Sequence, residues 1–424
     1  MGDMCWPSEF QLQEMRKQVS ELSGRDAKEV RVVVSPFRIC PLGAHIDHQG
    51  GVVSAMTINK GVLLGFVPSV DSQVFLRSRQ FKGDVRFSVD KVQSKAHLEQ
   101  ATEDCQWGNY ARGAIYALKT KQRIMKGITG IICGFDGLDS SGLSSSAAVG
   151  VAYLLAFECA NNLNVSPLEN IEYDRLIENE YLGLKNGILD QSAVLLSSYG
   201  CLTCMNCKSK EYNLIPSPVL ATDQKAEKND RYRILIAFSG IQQCLTTNPG
   251  YNRRVSECQE AASVLLKAAG NKNLDPILCN VPPEYYEAHK GELDPHLAKR
   301  AEHYFSENRR VRKGLEAWRA GNIPAFGKLM SESGLSSIQN YECGSPPLIH
   351  LYEIMVKAPG VYGTRFSGAG FRGCCLAFVD VDKASEAAAF VKKEYCKLQP
   401  ELTGKMQEDK MVLICDAGGC ACVV

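Results

Sequence analysis

The sequence predicts an α+β protein of two domains, on three observations. Its 424 residues exceed what one hydrophobic core ordinarily organises, since single cores stop growing near about 250–300 residues. Strand-like and helix-like runs mix without a strict βαβ alternation. A polar stretch at 217–230, flanked by Pro216 and containing Pro218, precedes a fresh apolar run and divides the chain into 1–225 and 226–424.

The elements follow in order. Leu12, Met15, Val19 and Leu22 recur at helical spacing in the polar segment 8–22, so a surface helix is expected there, ending at Ser23-Gly24. Residues 30–34 read as a short β-branched strand running into Ser35-Pro36. Strand-like runs recur within 52–67 and 73–89, and residues 109–120 and 143–160 read as helices. In the second half, 232–238 is a strand, 252–270 and 297–333 are helical, 360–373 is glycine-rich, and 374–380 is a closing strand.

Composition removes several function classes. Apolar residues make up 45% and charged residues 22%, ordinary globular values. Lys plus Arg number 48 against 47 Asp plus Glu, a formal charge of +1, so no general field attracts nucleic acid or an anionic membrane. No apolar run reaches the roughly 18 residues of a membrane span, and the longest, 147–160, is broken by Gly150 and Glu158. The 18 cysteines suit reduced thiols in a cytoplasmic protein better than a disulfide framework, because the chain is long and its first residues lack an apolar signal core. Cys201, Cys204 and Cys207 have zinc-like spacing but lack a fourth ligand, and the run alternates like a strand. The tail Cys420-Ala421-Cys422-Val423-Val424 has alanine where prenylation needs cysteine.

Three motifs carry chemistry. The first, Pro36-Phe37-Arg38-Ile39-Cys40-Pro41-Leu42-Gly43-Ala44-His45-Ile46-Asp47-His48-Gln49-Gly50-Gly51, sets hydrogen-bonding side chains in a loop after a strand. It reads equally as a polyol-binding loop or a polar hairpin. The second, Gly137-Leu138-Asp139-Ser140-Ser141-Gly142-Leu143-Ser144-Ser145-Ser146-Ala147-Ala148, opens into an apolar helix. Its free N–H groups and the helix dipole favour phosphate, and it contains more serines than capping requires. It is not a Walker A loop, lacking Gly-Lys-Ser/Thr. The third, Gly363-Thr364-Arg365-Phe366-Ser367-Gly368-Ala369-Gly370-Phe371-Arg372-Gly373, lets a backbone approach a ligand or another loop closely.

In this order the motifs resemble those of the GHMP small-molecule kinase superfamily, specifically its galactokinase-like branch. Trp107-Gly108-Asn109-Tyr110, Gly187-Ile188-Leu189-Asp190-Gln191, Tyr251-Asn252-Arg253-Arg254, Glu257-Cys258, Ser306-Glu307-Asn308, Arg310-Val311 and Tyr362-Gly363-Thr364-Arg365 agree with that branch, and the resemblance runs from about residue 30 to about 380. It implies an N-terminal domain like domain 2 of ribosomal protein S5, a ferredoxin-like C-terminal domain, and an active site between them. It further implies Asp190 as the base beside the anomeric hydroxyl and Arg38 as the cation bridging the reacting oxygens. ATP contacts fall to Gly142, Leu143, Ser144, Ser145, Ser146 and Ala147, magnesium to Ser144 and Glu178, and sugar contacts to His45, Asp47, Gly187 and Tyr251. Read alone, Glu178 would be a solvated charge on a helix face.

The departures from the family pattern are informative. Galactokinases have Glu where this chain has Ala44, and that Glu receives the sugar 6-hydroxyl. A carboxylate at C6 would be repelled by such a Glu and has no proton to give it, so Ala44 points to a uronic acid. His48, where the family has Tyr, is expected to supply a donor, and Arg372 replaces a motif glycine with a cation near the substrate. These changes imply D-galacturonic acid as substrate, with ATP and Mg2+, in a transferase with neither nucleic-acid nor membrane partners. The alternatives are a kinase for galactose or glucuronate, and a catalytically silent sugar sensor. Asp139 departs too, standing near the expected phosphates. Cys374 and Cys375, beside the third motif, suggest sensitivity to oxidation.

Overall fold

The computed structural model describes residues 6–93, 107–134, 143, 145–217, 232–241, 250–271 and 273–424. Helix α1 (Glu9–Ser23) starts at a capping box, in which Ser8 and Gln11 satisfy each other's backbone N–H groups, and stops at Gly24 with φ of 69°. It covers one face of a sheet through Met15 and Val19. That sheet contains β1 (Arg31–Leu42), β2 (Val52–Pro68), β3 (Gln73–Ser78), β4 (Asp84–Ser88), β5 (Ile128–Gly134), β6 (Cys201–Asn206) and β7 (Tyr212–Pro216). Its main path is β1-β2-β5-β3-β4, with β6 and β7 continuing from the far half of β2.

Strand β1 is longer than the sequence suggests. Pro36 does not end it, because the register with β2 shifts between Pro36 and Arg38 and again between Ile39 and Leu42. A bulge spares the proline a ladder hydrogen bond and re-aims the next side chain. Arg38 therefore stands on a strand paired with Thr57, not in a loop. On the inner face lie α2 (Asn109–Leu118) and α3 (Ser145–Ala160), the latter apolar nearly all round and packed on β1 and β2. They are followed by α4 (Pro167–Arg175) and α5 (Leu189–Leu196).

The second half builds a four-stranded antiparallel sheet. Strand β8 (Tyr232–Phe238) precedes α6 (Gly250–Ala268), α7 (Pro283–His289), α8 (Pro295–Arg319), α9 (Ile323–Gln339) and α10 (Pro346–Val356). Then come β9 (Val361–Phe366), β10 (Cys374–Asp380), α11 (Ala384–Leu398), the short α12 (Pro400–Thr403), β11 (Val412–Cys415) and β12 (Cys422–Val423). The sheet order is β11-β8-β10-β9. The helical region expected at 297–333 is two helices, broken around Gly321 (φ 72°), with Asn322 capping α9. Gly363 serves packing: a Cβ there would lie 1.7 Å from the Gly327 carbonyl oxygen, so the third motif draws β9 onto α9.

The result is the expected two-domain α+β fold, but the halves share a core. Val33, Ile39 and Leu64 belong to one buried cluster with Ile234, Trp318 and Phe378. The tail returns to the first sheet, where Val33 pairs with Val423 and Ala421 N–H donates to the Val194 carbonyl. The linker expected near 225 lies outside the described residues. Cys374 and Cys375 are fully buried, and burial pushes the Cys374 thiol up to about 12, so the expectation of oxidation sensitivity is corrected.

A buried ionic knot on α8 ties the two halves together. The Glu307 carboxylate accepts from Arg310 Nε at 2.7 Å, from the Gly43 N–H at 2.7 Å and from Ser333, and pairs with Arg365. Burial pushes its carboxyl up, but Arg310 and Arg365 outweigh this and hold it at about 2. Asn308 adds a bond to the Val52 N–H at 3.0 Å. Removing one partner strands the other charges, so Glu307→Ala is expected to cost about 3–5 kcal/mol in a urea titration. Glu307→Gln, which can still receive the Gly43 N–H, should cost less.

Candidate active site

The bulge in β1 and the first turn of α5 bring Arg38 and Asp190 together across 152 positions of sequence. Arg38 Nε donates to Asp190 Oδ1 at 2.8 Å, and Nη2 lies 2.6 Å from the same oxygen. Arg38 is 3% exposed and the Asp190 side chain 21%, so the carboxylate is the open member of the pair. Burial disfavours the guanidinium charge, but Asp190 outweighs it and keeps Arg38 protonated. Arg38 Nη1 is buried with no hydrogen-bond partner among the described residues. An orphaned guanidinium donor is costly unless an incoming oxygen takes it. The Arg38 N–H reaches the Leu143 carbonyl at 3.4 Å, joining the strand to the serine-rich loop.

A second layer is acidic. Ser166 and Glu169 box the start of α4, which widens at its end into a π-helical turn, Leu176–Tyr181. That turn carries Glu178 inward. Glu178 is fully buried, so the solvated-face reading is overturned. Its Oε2 accepts from Asn186 Nδ2, while Oε1 has no partner among the described residues. Burial first and the Asp190 charge second push its carboxyl up to about 7, against the pull of Ser146, Asn186 and Arg38. Asp174, one turn earlier and equally buried, is also pushed well up, first by burial and then by Glu178. Leu143 and Ala147 are buried, and Ser145 and Ser146 open α3. Gly142, Ser144 and Asp139 lie outside the described residues. Arg372 is half-buried, and its charge opposes the burial that raises the Tyr110 pKa.

The third layer is the wall formed by residues 43–50. His303 Nε2 sits 3.1 Å from the Ala44 carbonyl oxygen and anchors it. His45 takes φ of 65° and stacks on Tyr341, ring centres 4.4 Å apart. Asp47 Oδ2 accepts from the Leu189 N–H at 3.4 Å and presses on Gly187, where a Cβ would lie 2.4 Å away, so only glycine fits. Burial and then Asp190 push the Asp47 carboxyl up to about 6. Tyr251 meets His48 edge-on at 6.4 Å. His48 does not stand as a free donor: Nδ1 is 3.0 Å from Gln49 Nε2 and Nε2 is 3.2 Å from the Tyr341 hydroxyl. This corrects the direct role expected for it, because both ring nitrogens are already committed.

The structure thus gathers Arg38, Asp190, Asp47, His45, His48, Gly187, Tyr251 and Glu178 into one cluster, with Ala44 beside it. Sequence reasoning missed Tyr341 and His303, which sit in helical or turn segments without glycine clusters or charge patterns. It also missed the buried Asp174, which reads as one more charge on a polar helix.

The N terminal domain of GHMP kinases matches residues 109–198, and the C terminal domain matches 312–397. A galacturonokinase of Arabidopsis thaliana is 63% identical over 99% of this chain and 100% of its own length. A galactokinase of Lactococcus lactis is 32% identical over 91% of both chains. The crystal structure of Lactococcus lactis galactokinase complexed with galactose superimposes with a TM-score of 0.81 at 30% identity, covering 96% of this chain and 98% of that one. A mevalonate kinase at 16% identity and TM-score 0.59 shares the fold. Among the described residues no helix is long and apolar enough to cross a membrane. The chain belongs to the GHMP kinase family, in its galactokinase-like branch.

Proposed function

We propose that the protein transfers the γ-phosphoryl group of ATP to the anomeric hydroxyl of D-galacturonic acid, giving galacturonic acid 1-phosphate and ADP. The observation that carries the chemistry is the Arg38–Asp190 pair, with Arg38 Nη1 left without a partner among the described residues and the carboxylate the more exposed member. Asp190 accepts the hydroxyl proton as the sugar oxygen attacks phosphorus and the bond to ADP breaks. Arg38 meets the charge that builds on the transferred group with permanently protonated donors. Asp47, ionised above about pH 6, accepts ring hydroxyls, with Tyr251, His45 and the Gly187 backbone closing the pocket. Ala44 and the full-length likeness to a galacturonokinase support a uronic acid over galactose.

Ser145, Ser146 and Ala147 at the N-terminus of α3, with Gly142, Leu143 and Ser144, are proposed to hold the phosphates, and Arg372 to stand as a cation near the substrate. Magnesium fits the oxygen chemistry of Glu178, whose Oε1 is buried and has no partner among the described residues; Ser144 would complete the set. When bound, it neutralises phosphate charge. We assign two domains divided near residue 225 and the cytoplasm as compartment, where the many buried thiols stay reduced. The direct test offers the purified protein ATP with galacturonate, glucuronate or galactose. Galacturonate is expected to release ADP fastest, and a clear galactose preference sinks the proposal.

Glu178 makes a pH-dependent prediction. A buried carboxyl raised from about 4.3 to about 7 gives the folded state extra protons, so this group's contribution to stability is lost as pH rises through that window. Magnesium needs the ionised form. Its stabilisation of the melting temperature is expected to grow between pH 6 and pH 8. Glu178→Gln should raise the metal-free melting temperature at pH 8 by a few degrees and abolish the response to magnesium.

A further inference from the structure

Beside the sugar pocket runs a chain of hydrogen bonds whose direction can be read from its anchored end. The Leu278 N–H can only donate, and it lies 3.0 Å from Gln49 Oε1, which fixes the orientation of the Gln49 amide. Gln49 Nε2 is therefore the NH2 group, and at 3.0 Å from His48 Nδ1 it donates. His48 Nδ1 is thereby an acceptor, which puts the ring proton on Nε2. Burial pushes the His48 pKa down to about 4, so the ring is neutral. His48 Nε2–H then donates to the Tyr341 hydroxyl oxygen at 3.2 Å. Tyr341 has received a hydrogen bond and still holds its own proton. Burial keeps that phenol protonated, and among the described residues no acceptor takes its proton.

Tyr341 packs directly against the residues proposed to bind the sugar. It is fully buried, stacks on His45 next to Ala44, and its phenol is sensitive to Tyr251 and Asp47. A fully buried hydroxyl that is supplied with a donor and left with an unspent proton is arranged to give that proton's hydrogen bond to an acceptor group. We propose that Tyr341 is a specificity-determining residue, its O–H donating to the carboxylate of a uronic acid, with His48 and Gln49 as positioning residues behind it. This rests on the proposed function above and names the substrate group that Ala44 only makes room for. A neutral donor suits the place, since it recognises the anion beside the negative Asp47 and Asp190 without another buried charge.

The test compares binding of galacturonate with that of its methyl ester, which keeps the shape and loses the charge, in wild type and Tyr341→Phe. A hydrogen bond to a charged group predicts an approximately 10–100-fold rise in the galacturonate Kd and a much smaller rise for the ester. Equal weakening of both sugars, or no change in either, overturns the inference. If Tyr341→Phe does not fold, His48→Phe removes the donor that orients the hydroxyl. It is expected to weaken galacturonate several-fold while sparing the ester, and equal effects again refute the role. A wild-type protein that prefers galactose defeats the proposed function itself. A galacturonate preference that survives Tyr341→Phe defeats only this inference.

Discussion

Asp190→Asn is expected to lower kcat by about 10²–10⁴-fold, the range lost when a positioned general base is removed. The substitution keeps the amide oxygen that Arg38 Nε and Nη2 contact at Oδ1, so the pair's geometry survives while the proton acceptor is gone. Binding of galacturonate should change little, because pocket residues such as Asp47 and Gly187 are untouched. The loss therefore falls on kcat rather than KM, as for a group that acts in the transition state. Steady-state ADP release reads kcat and KM, and calorimetric titration reads the binding of galacturonate. Retention of more than about a third of wild-type kcat would end the case for Asp190 as base, a limit far above the range expected for base removal.

The second large effect is on substrate choice. Ala44 is 6% exposed, and its carbonyl is pinned by His303. Ala44→Glu places a carboxylate in the wall beside the already raised Asp47, with no added cation to meet it. Like charges brought together in a closed site cost several kcal/mol, so kcat/KM for galacturonate is expected to fall by at least about 100-fold. Galactose carries a hydroxyl at C6 that can donate to the new carboxylate, and its kcat/KM should hold or rise. Melting temperatures distinguish this switch from simple unfolding. If galacturonate turnover is unaffected, C6 does not face position 44.

What was legible in the sequence was whatever depends on local pattern. Leu12, Met15, Val19 and Leu22 announced α1, and the α3 helix was visible in its run of small and apolar residues. The Arg38 and Asp190 motifs were recognisable from their residue types and spacing. Tertiary structure decided three things that local pattern does not carry. The bulge at Pro36 turned an expected loop into strand, because pairing with β2 outweighs the proline's local preference. The π-helical turn buried Glu178, whose neighbours in sequence look like an ordinary solvated face. The Gln49–His48–Tyr341 chain joined residues 293 positions apart and consumed the donor that His48 was expected to offer. By itself, then, the sequence determined the fold class and the family, since these rest on residue type and spacing. Only the folded chain decided which polar atoms remain unspent, because a hydrogen bond commits a group according to what lies within about 3 Å of it in space.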